Sequence, residues 1–88
     1  MEKQWVLYIL ECKDGSLYTG ITNDIDHRLR QHTTGKGAKY TRGRVPLTLV
    51  YMESCENHSQ ALKREYAVKS LSREEKLHLC NSYIRKAL

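Results

Sequence analysis

The sequence lacks any apolar stretch that could matter to a membrane. Its longest, Trp5 to Leu10, is too short to span a bilayer or to form the hydrophobic region of a signal peptide. A soluble, cytoplasmic protein without membrane contact is expected. Cysteine is scarce and poorly placed for cross-linking. Cys12, Cys55 and Cys80 are odd in number, widely separated and contain no C-x-x-C, which argues against a disulfide framework or a zinc knuckle and for buried free thiols in a reducing compartment. His27, His32, His58 and His78 lack the paired spacing of a zinc site. Repeats, linkers and low-complexity tracts are absent. At 88 residues the chain reads as one domain, residues 1–88, large enough to fold without disulfides.

The most informative absence is one of charge. No acidic residue occurs between Asp26 and Glu53, a stretch that holds Arg28, Arg30, Lys36, Lys39, Arg42 and Arg44. The other nine bases are outnumbered by the ten acids, so the net charge of +5 resides wholly in this one segment. It reads either as a solvated basic loop or, more pointedly, as a surface for a phosphate backbone.

Trp5 to Cys12 is rich in Val, Leu, Ile and Tyr and predicts a buried strand. Lys13-Asp14-Gly15-Ser16 is a hairpin signal, with Leu17 to Thr22 as the partner strand. Asn23, Asp24 and Asp26 cap a helix that carries Ile25 and Leu29 and stops near Gly35. Residues 35 to 46, GKGAKYTRGRVP, hold three of the five glycines and the one proline; this is a loop, mobile unless a partner orders it. Leu47 to Met52 predicts a third strand. Asn57 and Gln60 open a second helix to about Ser70, and the capping box Ser72/Glu75 opens a third that runs to the C-terminus. The order is β-β-α-β-α-α, an α+β fold with a short three-stranded antiparallel sheet flanked by three helices.

Helical periodicity exposes polar residues in apolar places. At about 100° per residue, Glu65 falls inside the apolar arc of Ala61, Leu62 and Val68, and Asn81 falls in the stripe of Leu77, Ile84 and Leu88. Leu62 lies about 100° from Ala61, at the margin of that arc. In the first helix His32 and Arg28 lie beside Ile25 and Leu29. A buried carboxylate needs a partner. Either Glu65 pairs internally with Arg28 while Asn81 ties loops together, or the chain has a cleft floored by an acid, an arginine, an amide and tyrosines. The second set suits phosphodiester cleavage: a carboxylate for a hard cation, an arginine for phosphoryl charge, and a tyrosine as base if its pKa of about 10 is lowered. The hairpin register bears on this. A two-residue turn turns Tyr8 away from Tyr18, whereas a three-residue loop sets Tyr8 opposite Thr22 and Tyr18 opposite Cys12, on one face.

The segments VLY (6–8), YTG (18–20), Arg28 ten residues after the second tyrosine, and Glu65 in LKREY together resemble the GIY-YIG nuclease superfamily. DGSLYTGITND, RLRQH and GKGAKYTRGR look like its small stand-alone bacterial branch, related to the nuclease half of structure-specific endonucleases. The resemblance implies that Tyr8 is the general base or positions water, that Tyr18 orients the phosphate or nucleophile, and that Gly20 lets the backbone turn closely. It makes Arg28 the stabiliser of developing charge, His32 a secondary polar contact, Asn81 the C-terminal asparagine, and Glu65 the ligand of one Mg²⁺ or Mn²⁺. Val6, Leu7 and Thr19 depart from the motif at middle positions that pack rather than react.

The activity implied is metal-dependent DNA endonuclease cleavage, on structured DNA in repair or recombination. The chain has no room for a separate DNA-targeting domain. Contacts to the DNA backbone would rest on Lys36, Lys39, Arg42 and Arg44, with specificity from a partner protein or an unusual DNA shape. The competing class is a nucleic-acid-binding or adaptor protein that keeps the fold without cleavage. Both predict salt-sensitive binding; only the first predicts metal-dependent cuts.

Overall fold

A computed structural model describes residues 4–88. The first strand, β1 (Trp5–Glu11), lies at the centre of the sheet. Leu7, Tyr8, Ile9 and Leu10 are all fully buried. That is why the strand reads as a continuous apolar run rather than an alternating one: both of its faces are covered. Antiparallel β2 (Leu17–Thr22) lies on one side and β3 (Thr48–Cys55) on the other. Each buried Leu or Ile contributes roughly 1.5–3 kcal/mol relative to exposure, so β1, with five buried hydrophobic residues in a row, gives more to the core than any other element.

The two faces carry different covers. Odd-numbered Leu7 and Ile9 join Val50, Cys55, Ala61, Val68 and Cys80 beneath α2 (His58–Lys69) and α3 (Arg73–Cys80). Even-numbered Tyr8 and Leu10 join Cys12, Leu47 and Leu49, with Ile25 and Leu29 of α1 (Ile25–Thr33) packed against them. Leu49 and Tyr51 would share a face in a regular strand; the β1–β3 register shift between Ile9 and Leu10 lets Tyr51 pack on the first face and Leu49 on the second. All three cysteines are buried and free.

The caps form where the sequence places them. Asp24, Asn57 and Ser72 accept from the backbone N–H groups of His27, Gln60 and Glu75, and Glu75 returns the bond to Ser72. Four features differ from expectation. The hairpin loop is Lys13-Asp14-Gly15, closed by Cys12 N–H to Ser16 O at 2.8 Å and Gly15 N–H to Cys12 O at 2.9 Å. Tyr8 therefore faces Gly20, and Tyr18 faces Leu10, one pair along from the three-residue alternative but with the same shared face. Strand β3 runs on to Cys55.

The third difference is that α3 stops at Cys80 with Asn81 as its C-cap. Its inner side is Leu79 and Cys80, while Leu77 is 38 % and Ile84 is 87 % exposed. The expected stripe fails because residues after Asn81 leave the helix. They form the fourth difference: the sheet has four strands, in the order β2-β1-β3-β4. Strand β4 (Lys86–Ala87) pairs with Thr48 and Leu49, Leu88 N–H donates to Leu47 O at 3.1 Å, and Arg85 pairs with Glu11. Backbone hydrogen bonds left open on the outer edge of β3 outweigh the modest helix propensity of Asn81-Ser82-Tyr83-Ile84. No helix among the described residues is long and apolar enough to cross a membrane.

Candidate active site

Tyr8 projects from the centre of β1 toward β2, directly across from Gly20. A Cβ at Gly20 would lie 2.6 Å from the Tyr8 Oη and 2.8 Å from its Cζ. Glycine stands here because the phenol fills the space of a side chain. The close backbone turn expected at Gly20 is not found; the residue sits inside the regular strand β2. Two residues along, on the same face, Tyr18 brings its ring to 6.3 Å from that of Tyr8. The middle motif residues do pack: Val6, Leu7 and Thr19 are buried, and the Thr19 hydroxyl is a buried group without a hydrogen-bond partner among the described residues.

Helix α1 delivers the next two residues. Its last turn places His32, fully buried, with Nε2 at 2.8 Å from the Tyr8 Oη and the ring 5.2 Å from that of Tyr18. One turn earlier, Arg28 donates to Gln31 Oε1 at 3.2 Å and lies beside the phenols of Tyr8 and Tyr18. The electrostatics are consistent with a desolvated site. Burial, partly relieved by Arg28, pushes the Tyr8 hydroxyl up to about 12. Burial and then the Arg28 charge push the His32 imidazole down to about 4. Burial works against the Arg28 charge too, but the two phenols beside it outweigh that and hold its pKa above the ordinary value. At neutral pH the cluster is a neutral phenol, a neutral imidazole and a guanidinium cation. Burial raises the Tyr8 hydroxyl, so a role as base would need Arg28 or a bound cation to offset that burial.

The loop of residues 35 to 46 is anchored rather than loose. Thr41 is 1 % exposed and its Oγ1 lies 2.8 Å from His32 Nδ1. Tyr40 packs its ring 5.9 Å from that of Tyr18. Gly37 passes so close over His32 that a Cβ there would be 2.5 Å from Nδ1. Arg44 is spent on structure: it pairs with Asp14 of the hairpin and lies over the Tyr40 ring at 4.6 Å. Lys36, Lys39 and Arg42 remain exposed. Sequence reasoning missed Tyr40 and Thr41, because KYTRGR drew attention to its charges. The signal was a hydroxyl and an aromatic set between glycines.

Glu65 and Asn81 are not joined to this cluster by any contact among the described residues. Glu65 is half-buried on α2 and pairs with Lys69, one turn on, at 3.4 Å. The internal Glu65–Arg28 ion pair therefore does not form. Leu62 is exposed, so the buried stripe of α2 is Ala61 and Val68, with Glu65 at its margin. Asn81 is exposed and lines a separate cavity of about 220 Å³ with Glu11, Leu77, Tyr83 and Arg85. It does not lie beside the tyrosines because α3 packs on the Leu7 and Ile9 face of the sheet, whereas Tyr8 and Tyr18 take the other. Among the described residues no group of three His, Cys, Asp or Glu could hold a metal by itself.

The chain is similar to known proteins in sequence and in fold. A model of the GIY-YIG catalytic domain family matches residues 4–78. The UPF0213 protein of Oceanobacillus iheyensis is 54% identical over 79 residues, covering 90% of this chain and 92% of the relative. That of Clostridium perfringens is 55% identical over 76 residues, covering 86% and 82%. Among solved structures, the solution NMR structure of the UPF0213 protein from Bacillus halodurans is similar at 50% identity and a TM-score of 0.60, covering 91% of this chain and 85% of that one.

Two outcomes follow from the geometry. Gly20→Ala forces the new methyl into the Tyr8 phenol, and we expect it to destabilise the fold by about 1–3 kcal/mol in urea denaturation; an unchanged midpoint would mean that Tyr8 has room to move. The second concerns acid. An unfolded histidine takes up its proton near pH 6.5, whereas folded His32 does so only near 4. Between these values the unfolded chain binds more protons, so stability falls as pH drops through the window. At pH 4.5 the wild type should lose about 2–3 kcal/mol more than His32→Gln, relative to pH 7.5. Parallel losses in the two proteins would rule out the buried neutral imidazole as the cause.

Proposed function

The chain belongs to the GIY-YIG family, whose members are generally nucleases, and from that premise we propose that residues 1–88 form one nuclease domain that cuts DNA with the help of a single divalent metal. The observation that carries the proposal is the meeting of Tyr8, Tyr18, Arg28 and His32 on one covered face of the sheet, directly beneath the basic loop. A plain packing role would not need an arginine beside two phenols. Phosphoryl transfer does: the guanidinium stabilises charge that grows on the non-bridging oxygens, and phenols give fixed polar contacts to phosphate and water.

Members of the family typically depend on a divalent metal. Glu65 is the residue of this chain that would hold it. One half-buried carboxylate fits Mg²⁺ or Mn²⁺, which keep several waters and take phosphate oxygens instead of requiring a full protein cage. When bound, such an ion supplies Lewis-acid polarisation of the phosphoryl oxygen. The residues of the chain do the rest. Tyr8 orients the attacking water, Tyr18 orients the phosphate, Arg28 meets the developing charge, and Lys36, Lys39 and Arg42 hold the flanking backbone, with Arg44 bracing the loop. Selectivity then comes from DNA shape or from a partner protein, and a structure-specific role in repair or recombination in the cytoplasm is consistent with it.

Incubation with single-stranded, duplex, flapped and branched DNA, with Mg²⁺ or Mn²⁺ and with chelator, tests this directly. We expect metal-dependent cuts that drop about 100-fold or more in Glu65→Ala. Equal cleavage by both proteins would sink the assignment, and binding without cleavage in either would make the chain a DNA-binding adaptor. Neutralising Lys39 and Arg42 together should weaken DNA binding and reduce the slope of log affinity against log salt by about 2. An unaltered slope would move the contact surface elsewhere.

A further inference from the structure

The hydrogen bonds around His32 have a direction. The Thr41 hydroxyl lies 3.0 Å from the carbonyl oxygen of Ala38. A carbonyl can only accept, so the one hydroxyl proton of Thr41 goes there. The Thr41 Oγ1 must then accept from His32 Nδ1, which lies at 2.8 Å. A neutral imidazole with its proton on Nδ1 has a bare Nε2, and that nitrogen accepts from the Tyr8 hydroxyl at 2.8 Å. The chain runs one way: Tyr8 to His32, His32 to Thr41, Thr41 to the Ala38 carbonyl. Arg28 supports the same direction independently. A guanidinium only donates, and beside Tyr8 it needs the phenolic lone pairs, not the phenolic proton, turned toward it.

We propose that Thr41 is a positioning residue that sets the His32 tautomer and thereby makes the side of the Tyr8 oxygen that faces Arg28 acceptor-only. This rests on the nuclease reading for its use. An acceptor-only phenol takes a hydrogen bond from an attacking water and holds a water lone pair toward phosphorus. A phenol free to donate would instead bind the phosphate oxygen and compete with Arg28. With the opposite tautomer, Nε2–H would donate to Tyr8 and release the phenolic proton toward the guanidinium.

The tautomer can be read without DNA or metal, from a long-range ¹⁵N–¹H correlation spectrum of the imidazole. The wild type should show a protonated Nδ1 and a bare Nε2. Thr41→Val keeps the shape and removes the hydroxyl, and should shift His32 toward the Nε2–H form. Thr41→Ser should restore the wild-type pattern. In cleavage assays Thr41→Val should lower turnover at saturating DNA about 10- to 100-fold with DNA affinity nearly unchanged, and Thr41→Ser should recover most of it. An Nε2–H signal in the wild type overturns the proposal without any variant, as does a Thr41→Val spectrum identical to wild type. If the tautomer responds as stated but the wild type cuts no DNA, the positioning by Thr41 stands and the nuclease reading fails. If the tautomer responds and Thr41→Val cuts at the wild-type rate, the use assigned to Tyr8 is wrong.

Discussion

A phenol buried at the centre of a sheet obliges the fold to find a partner for its hydroxyl, and the rest of this molecule is arranged around that obligation. An unsatisfied hydroxyl in such a place costs on the order of 1–3 kcal/mol. Tyr8 meets the requirement through His32, which must itself be buried to reach it. Burying an imidazole creates the same demand at its other nitrogen, and Thr41 answers that. Thr41 in turn is satisfied by the Ala38 carbonyl. One buried polar group thus recruits a helix, a loop and two glycines, Gly20 and Gly37, whose missing side chains leave room for the phenol and the imidazole. A network of this kind is all or nothing: each member is worth its place only while the next is present.

That dependence explains which parts of the structure were legible in the sequence. The order of the first six elements, the three helix N-caps and the inward side of α1 were readable because they are local: an Asp, Asn or Ser three residues before a backbone N–H, and Ile25, Leu29 and His32 within two turns. What lay beyond reach was non-local. Strand β4 is two residues long, and its reason for existing is the open edge of β3, more than thirty residues earlier. The phase of α3 was misjudged because Ile84 and Leu88 were counted as helical, and they belong to the chain that leaves for that edge. The shared face of Tyr8 and Tyr18 hinged on a loop whose length the sequence allowed in two forms; the structure uses three residues but begins one position earlier.

The basic segment shows a different limit. Its charge excess was obvious, but charge alone does not tell a residue that binds a ligand from one that braces a loop. Arg44 is drawn to Asp14 and to the Tyr40 ring, which fastens the loop to the hairpin. The loop can then present Lys36, Lys39 and Arg42 from a held position rather than a floppy one. Ordering the loop in advance spares the entropy that a partner would otherwise have to supply on binding. The same contacts hold Thr41 under the loop, so the basic surface and the tyrosine cluster are parts of one construction.

The chemistry follows from the pKa values as much as from the distances. Burial pushes the Tyr8 hydroxyl up to about 12, so Tyr8 acts as a base only where Arg28 or a bound cation offsets that burial. His32, held down to about 4, is no reservoir for the proton. What the pair does provide is a fixed dipole. The phenolic proton is committed to His32, the lone pairs are left for Arg28, and neither can reorient without breaking the chain to Thr41. Preorganised dipoles stabilise a transition state because they need not reorganise when charge appears. Arg28 supplies the one full charge in the cluster, from a partly buried position beside the two phenols. The four side chains are therefore arranged for orientation and charge stabilisation rather than for supplying a strong base.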